Sequence, residues 1–217
     1  MLNLLLGISA ALWGLTVHAQ PVFPDISTRA EALVLIDAAD PRQRGAAVAY
    51  LARTGTATDG ALLAKRLSDD HPLVRELAEQ GVWQVWSRSG DAETDRLLAA
   101  GGNQMGLGKL KEAIATFTNV IRRRPGFAEG WNKRATAYYL AGELQKSLAD
   151  CAEVMKRNPQ HFGALSGYGQ IYVRLEDYEK ALEYFRRALT VNPNMASVEV
   201  NIRAIEELLR EKRRRMI

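Results

Sequence analysis

The sequence predicts an all-α protein built as a solenoid of stacked helical hairpins. Three observations predict it. Strand-like alternation of Val, Ile and Thr is scarce. Long stretches instead repeat apolar residues every three or four positions, the spacing that lines one face of a helix. In the C-terminal half, Pro125, Pro159 and Pro193 follow one another at 34-residue intervals, and the residues before them superimpose at the same interval. The 217 residues are 47% hydrophobic and 25% charged, enough to bury a core in one large domain or two small ones.

Residues 1–19 carry no Asp, Glu, Lys or Arg, and a short apolar run from Leu4 to Leu15 precedes Val17-His18-Ala19. That tripeptide is close to the small-x-small pattern read by a signal peptidase, so a signal peptide cleaved after Ala19 is expected. The protein would then be exported, and periplasmic if the source is a Gram-negative bacterium. The run is shorter than the roughly 20 residues needed to span a bilayer. Retention as an uncleaved anchor is the alternative, which would make the chain a membrane-anchored assembly factor.

Within residues 20–90, Asp40-Pro41 is followed by Arg44, Ala47 and Leu51. A 31-residue shift brings His71-Pro72, Arg75, Ala78 and Val82 into the same register. Proline at the first helical position loses no hydrogen bond, so this spacing fits two helical hairpins, each with Pro opening its second helix. The pattern resembles short HEAT-like repeats. Trp83 and Trp86 end the last helix, either as apolar cover against the next hairpin or as an exposed binding platform. The Ser87–Asp91 stretch is short and turn-like, so one continuous curved solenoid is expected.

Residues 91–195 hold three 34-residue units. Gly101, Ala135 and Gly169 form one column of small residues, and Ala113, Ser147 and Ala181 form another, where the two helices of a hairpin must approach closely. Phe117, Cys151 and Phe185 fill the space between them. Gly108 and Gly142 can end the first helix in a left-handed conformation without steric cost; Glu176 takes that place in the third unit. The prolines stop the second helix. These columns resemble the tetratricopeptide repeat family. The middle unit matches best, through Trp131, Ala135, Tyr138, Gly142, Leu144 and Pro159, with Cys151 in place of the usual aromatic. The first unit departs at Leu97 and Gln104, the third at Leu165 and Glu176. The resemblance implies a right-handed α-solenoid: HEAT-like repeats, three tetratricopeptide units, then a capping helix over 196–217 that covers the last apolar face.

No constellation of catalytic residues is present. Cys151 is the single cysteine, which leaves no internal disulfide and no cysteine-based metal cluster. The three histidines, His18, His71 and His161, have no carboxylate or second histidine at metal-ligand spacing. No phosphate-cradling loop and no Gly-x-Ser-x-Gly elbow occurs. A non-catalytic protein without metal or cofactor is expected. The net charge is +4, with a basic run at Arg210 and Lys212–Arg215. It reads as a solvated helix end that favours the helix dipole, or as a contact for acidic lipid headgroups. No aromatic platform interleaves with it, which argues against nucleic acid.

The family resemblance implies that the first helices of successive hairpins line a concave groove for a partner polypeptide. By register, the groove-facing residues are Leu98 and Met105 in the first unit; Glu129, Asn132, Thr136 and Tyr139 in the second; Ser166, Gln170, Val173 and Arg174 in the third. That mixture suits an extended or helical peptide bound at about micromolar affinity. Some family members clamp a partner's C-terminal carboxylate with Lys and Asn in the first hairpin. Leu98 and Gly102 stand there instead, and Lys133 and Arg134 do not complete the clamp, so no carboxylate clamp is expected. A competing reading is a structural element that self-associates through Trp83, Trp86 or an exposed end of the array.

Overall fold

The computed structural model describes residues 24–215, and the expected signal peptide lies outside them. The described residues form eleven α-helices, two 3-10 turns and no strand. The N-terminal segment comprises α1 (Arg29–Leu35), α2 (Pro41–Thr54), α3 (Gly60–Lys65) and α4 (Pro72–Trp86). Pro41 and Pro72 open α2 and α4 as the spacing required, and the Asp40 carboxylate accepts from the Arg42 N–H to cap the first of them. The 31-residue repeat is visible in the hydrogen bonds. Arg44 Nη1 donates to the Ala38 and Ala39 carbonyls at 2.9 and 2.8 Å, and Arg75 Nη1 donates to those of Asp69 and Asp70 at 2.8 and 3.2 Å. Each arginine thus satisfies the loop that precedes its own helix. Arg44 also meets the buried Asp69 carboxylate at 2.7 Å. Leu51, Leu63, Leu67, Val74, Ala78 and Val82 close the core of this segment.

Three hairpins follow: α5 (Ala92–Gly106) with α6 (Leu110–Arg123), α7 (Ala128–Leu140) with α8 (Leu144–Arg157), and α9 (Phe162–Arg174) with α10 (Tyr178–Val191). Their turns are superimposable. Lys109, Glu143 and Asp177 each donate from the backbone N–H to the carbonyl five residues back, at Gln104, Tyr138 and Tyr172. This bond closes a Schellman motif, which needs a left-handed residue before the donor. Gly108 and Gly142 supply it at φ 73° and 79°, and Glu176 adopts it at φ 59° despite carrying a side chain.

The small-residue columns form by volume exchange between facing helices. A Cβ on Gly101 would lie 2.5 Å from the Phe117 ring, and one on Gly169 would lie 2.4 Å from Phe185. In the middle hairpin the smaller Cys151 leaves room for the methyl of Ala135, and both are buried in one cluster. Phe117 and Phe185 are fully buried. Burial raises the Cys151 thiol to about 12, so it stays protonated and acts as an apolar filler. Helix α11 (Ala196–Arg215) packs on α10 and buries Val198 and Ile205 against Phe185 and Leu182, leaving its far side charged.

The N-terminal segment meets the array in an unexpected place. Trp83 and Trp86 are apolar cover, but against the third hairpin and not the first. Trp86 stacks on His161 with ring centroids 4.6 Å apart, and Trp83 meets Phe162 edge-on at 5.0 Å. Two further contacts fix the arrangement. Asn192 Nδ2 donates to Glu79 Oε1 at 3.2 Å, and Asn194 Nδ2 donates to the Leu67 carbonyl at 2.8 Å. The segment therefore lies along the loops that join successive hairpins, and does not simply add two more units to the end of the stack.

Candidate functional site

The first helices α7 and α9, followed by α11, present one concave face. Its N-terminal end is closed. Gly163, in the first turn of α9, lies under Trp83, and a Cβ there would sit 2.5 Å from Trp83 Cη2. Beside it, the backbone N–H of Ala164 donates to His161 Nδ1 at 3.1 Å, capping α9. Because Nδ1 accepts, the ring proton sits on Nε2 and is donated to Glu129 Oε2, 3.0 Å away. Asn132 Nδ2 donates to the same oxygen at 3.0 Å, and Lys133 Nζ lies 3.3 Å from the other. Burial pushes the Glu129 carboxyl up, but the His161 bond and the nearby Lys133 charge outweigh it and hold it below the usual carboxylate range. Glu129 and His161 are both fully buried, so this polar knot joins the second and third units beneath α4.

The C-terminal end of the face is open. Tyr139, Gln170 and Val173 converge with Asn201 and Ala204 of α11 around a recess of about 350 Å³. Arg174 crosses from α9 to α7: its Nη1 donates to the Tyr139 carbonyl at 2.7 Å, and its guanidinium lies 5.0 Å from the Tyr139 ring centre. That bridge holds one rim. Thr136 is exposed on the same face, with its hydroxyl donating to the Asn132 carbonyl at 3.0 Å. The recess thus offers apolar walls from Val173 and the Tyr139 ring, an amide from Gln170, and a second amide from Asn201.

The structure separates the register-based residues into two groups. Thr136, Tyr139, Gln170, Val173 and Arg174 share the open end. Glu129, Asn132 and Ser166 are buried, with Asn132 still lining a narrow recess beside Thr136 and Gln170. Leu98 and Met105 pack in the core between the first two hairpins, with Phe117 and Ala137. Burial beneath α4 and between hairpins covers most of Glu129, Asn132, Ser166 and Leu98, and part of Met105. Sequence reasoning missed Asn201 and Ala204. A further 34-residue shift from Gly167 and Gln170 lands on these two residues, so the period itself carried the signal. Among the described residues no group of His, Cys, Asp and Glu could hold a metal ion.

Residues 98–155 and 164–195 each match a family model described as tetratricopeptide repeat. A tetratricopeptide repeat-containing protein of Rhizobium etli is 28% identical over 124 residues, which cover 57% of this chain and 61% of the relative. The Hsp70-Hsp90 organizing protein of Triticum aestivum is 26% identical over 151 residues, covering 69% of this chain and 25% of the relative. The match spans less than two thirds of either relative. Among solved structures, the first repeat domain of Spaghetti (RPAP3), bound to the HSP90 peptide SRMEEVD, superimposes with a TM-score of 0.52 at 25% identity; the match covers 55% of this chain and 95% of that one.

Proposed function

From a chain that belongs to the tetratricopeptide-repeat family, we propose a non-catalytic adaptor that binds one segment of a partner polypeptide in the open end of its concave face. The observation that carries this reading is the recess between Tyr139, Gln170, Val173 and α11. It pairs apolar walls with two amides that have no hydrogen-bond partner among the described residues, the mixture that holds a short peptide by one apolar anchor and its backbone. With the other end of the face under α4, the bound segment is short, and an affinity near micromolar follows. The HSP90 peptide bound by the RPAP3 domain is not the expected ligand. Leu98 is buried and Gly102 brings no charge, so the positions that would clamp its carboxylate hold no cation. We place the protein in the cell envelope, on the apolar run and Val17-His18-Ala19 of the sequence. N-terminal sequencing of the protein purified from its native host tests that part, with Gln20 as the expected first residue.

Substitution of Val173 by Asp tests the groove. It puts a charge on the recess wall without touching the buried knot. Partner capture from native envelope fractions is expected to fall at least tenfold, with unchanged helicity by circular dichroism. Unchanged capture by the folded variant would refute the assignment. SRMEEVD is expected not to compete with the captured partner for this recess.

A further inference from the structure

Along the edge where the N-terminal segment meets the inter-hairpin loops runs a crevice outside the concave face. Two adjoining recesses of about 470 and 430 Å³ share Ala57, Gly126 and Phe127 as walls. The floor of the larger is apolar, from Ala61, Ala128 and the edge of Trp86. Arginines stand at both ends. Arg157 lines one recess, and Arg88, Arg123 and Arg124 line the other.

The local acids neutralise only two of these four cations. Two carboxylates lie beside the second recess: Asp91 caps α5 and pairs with Arg123 at 3.3 Å, and Asp95 accepts from the Ser89 N–H and hydroxyl at 2.8 and 2.6 Å. Glu153 already serves both Lys156 and Arg157 at 2.6 Å. Arg88 donates to the Gly55 carbonyl at 3.0 Å, and neither it nor Arg124 has a carboxylate partner among the described residues. Arg124 is exposed. The crevice thus sets two uncompensated guanidiniums beside an apolar trough, in a part of the fold that the three-hairpin array alone would not create.

We propose that this crevice is a second docking site, for an acidic peptide segment whose carboxylates flank an apolar side chain. The charge selects the acid, because guanidinium meets carboxylate through paired hydrogen bonds. The trough selects a peptide over a nucleic acid: its aromatic rings are wall and floor and offer no exposed face for base stacking. The site is independent of the concave recess, so an adaptor could hold an acidic segment of one partner here while the recess holds another.

Fluorescence anisotropy of the full chain with a labelled DELEDE peptide tests it, alongside QNLQNQ and a hexathymidine oligonucleotide with the same label. At about 50 mM salt DELEDE is expected to saturate and to weaken as salt rises, because exposed charges are screened. QNLQNQ and the oligonucleotide are expected not to saturate. Arg124→Glu is expected to weaken DELEDE at least tenfold without changing the melting temperature, since Arg124 supports no internal ion pair. Ala61→Glu, which adds a carboxylate to the floor and leaves every arginine in place, is expected to do the same. Absence of saturation, indifference to both substitutions, or equal binding of the oligonucleotide would each overturn the site. Val173→Asp should leave DELEDE binding intact, which separates this site from the concave recess.

Discussion

His161 Nε2 donates to Glu129 Oε2 at 3.0 Å with both side chains fully buried, and Trp86 of a distant helix stacks on the same imidazole. One interaction therefore ties the second unit to the third and the N-terminal segment to both. Its parts come from residues separated by 32 and 75 positions, so it forms only when the whole fold is assembled.

Replacing Glu129 by Ala removes the acceptor for His161 and Asn132 and leaves both donors buried. A buried donor left without a partner costs about 1–3 kcal/mol, so losing the acceptor of both should cost about 3 kcal/mol. Urea denaturation followed by tryptophan fluorescence should show that loss, with Trp86 reporting a changed environment even before unfolding. A loss under about 1 kcal/mol would mean the knot is structurally idle.

Glu176 holds a left-handed backbone, φ 59°, where the other two units use glycine. A side chain there costs about 1 kcal/mol, offset in part by the greater freedom that glycine gives the unfolded chain. Glu176→Gly should therefore stabilise the third hairpin by up to about 1 kcal/mol, whereas Gly142→Glu should destabilise the second by a similar amount. Thermal melts of the two variants check both signs.

Stability should fall in acid through Asp69. Burial raises its carboxyl, but the paired bonds from Arg44 and the His71 N–H outweigh that and bring it down from 3.8 to about 2. A depressed folded value adds stability above the unfolded value, and that stability disappears as pH falls through the folded one. The contribution is complete above about pH 5, begins to drop near pH 4 and is gone near pH 2, a change of about 2 kcal/mol. Asp69→Asn, measured against wild type by urea melts across this range, should be less stable at neutral pH and show a shallower acid slope.

The repeats were legible because each column answers a requirement that recurs in every hairpin. Gly101 and Gly169 must yield to a phenylalanine ring, Gly108 and Gly142 must turn left-handed, and Arg44 and Arg75 must satisfy the carbonyls before a proline. Such needs leave a periodic trace. The docking of α4 leaves none. Asn192 with Glu79 and Asn194 with Leu67 are single contacts across 113 and 127 positions. The register alone thus placed Glu129, Asn132 and Ser166 on the groove, but could not reveal their burial. It also ended one unit early, before Asn201 and Ala204 of α11 completed the recess.

Site-specific photo-crosslinking bears most directly on the central claim, that the open end of the concave face is where a partner polypeptide sits. A benzoylphenylalanine at position 170, on that face, should form an adduct with the captured partner. The same group in place of Arg122, exposed on the second helix of the first hairpin, should form none. An adduct from 122 with none from 170, by chains that capture the partner equally well, would contradict the account.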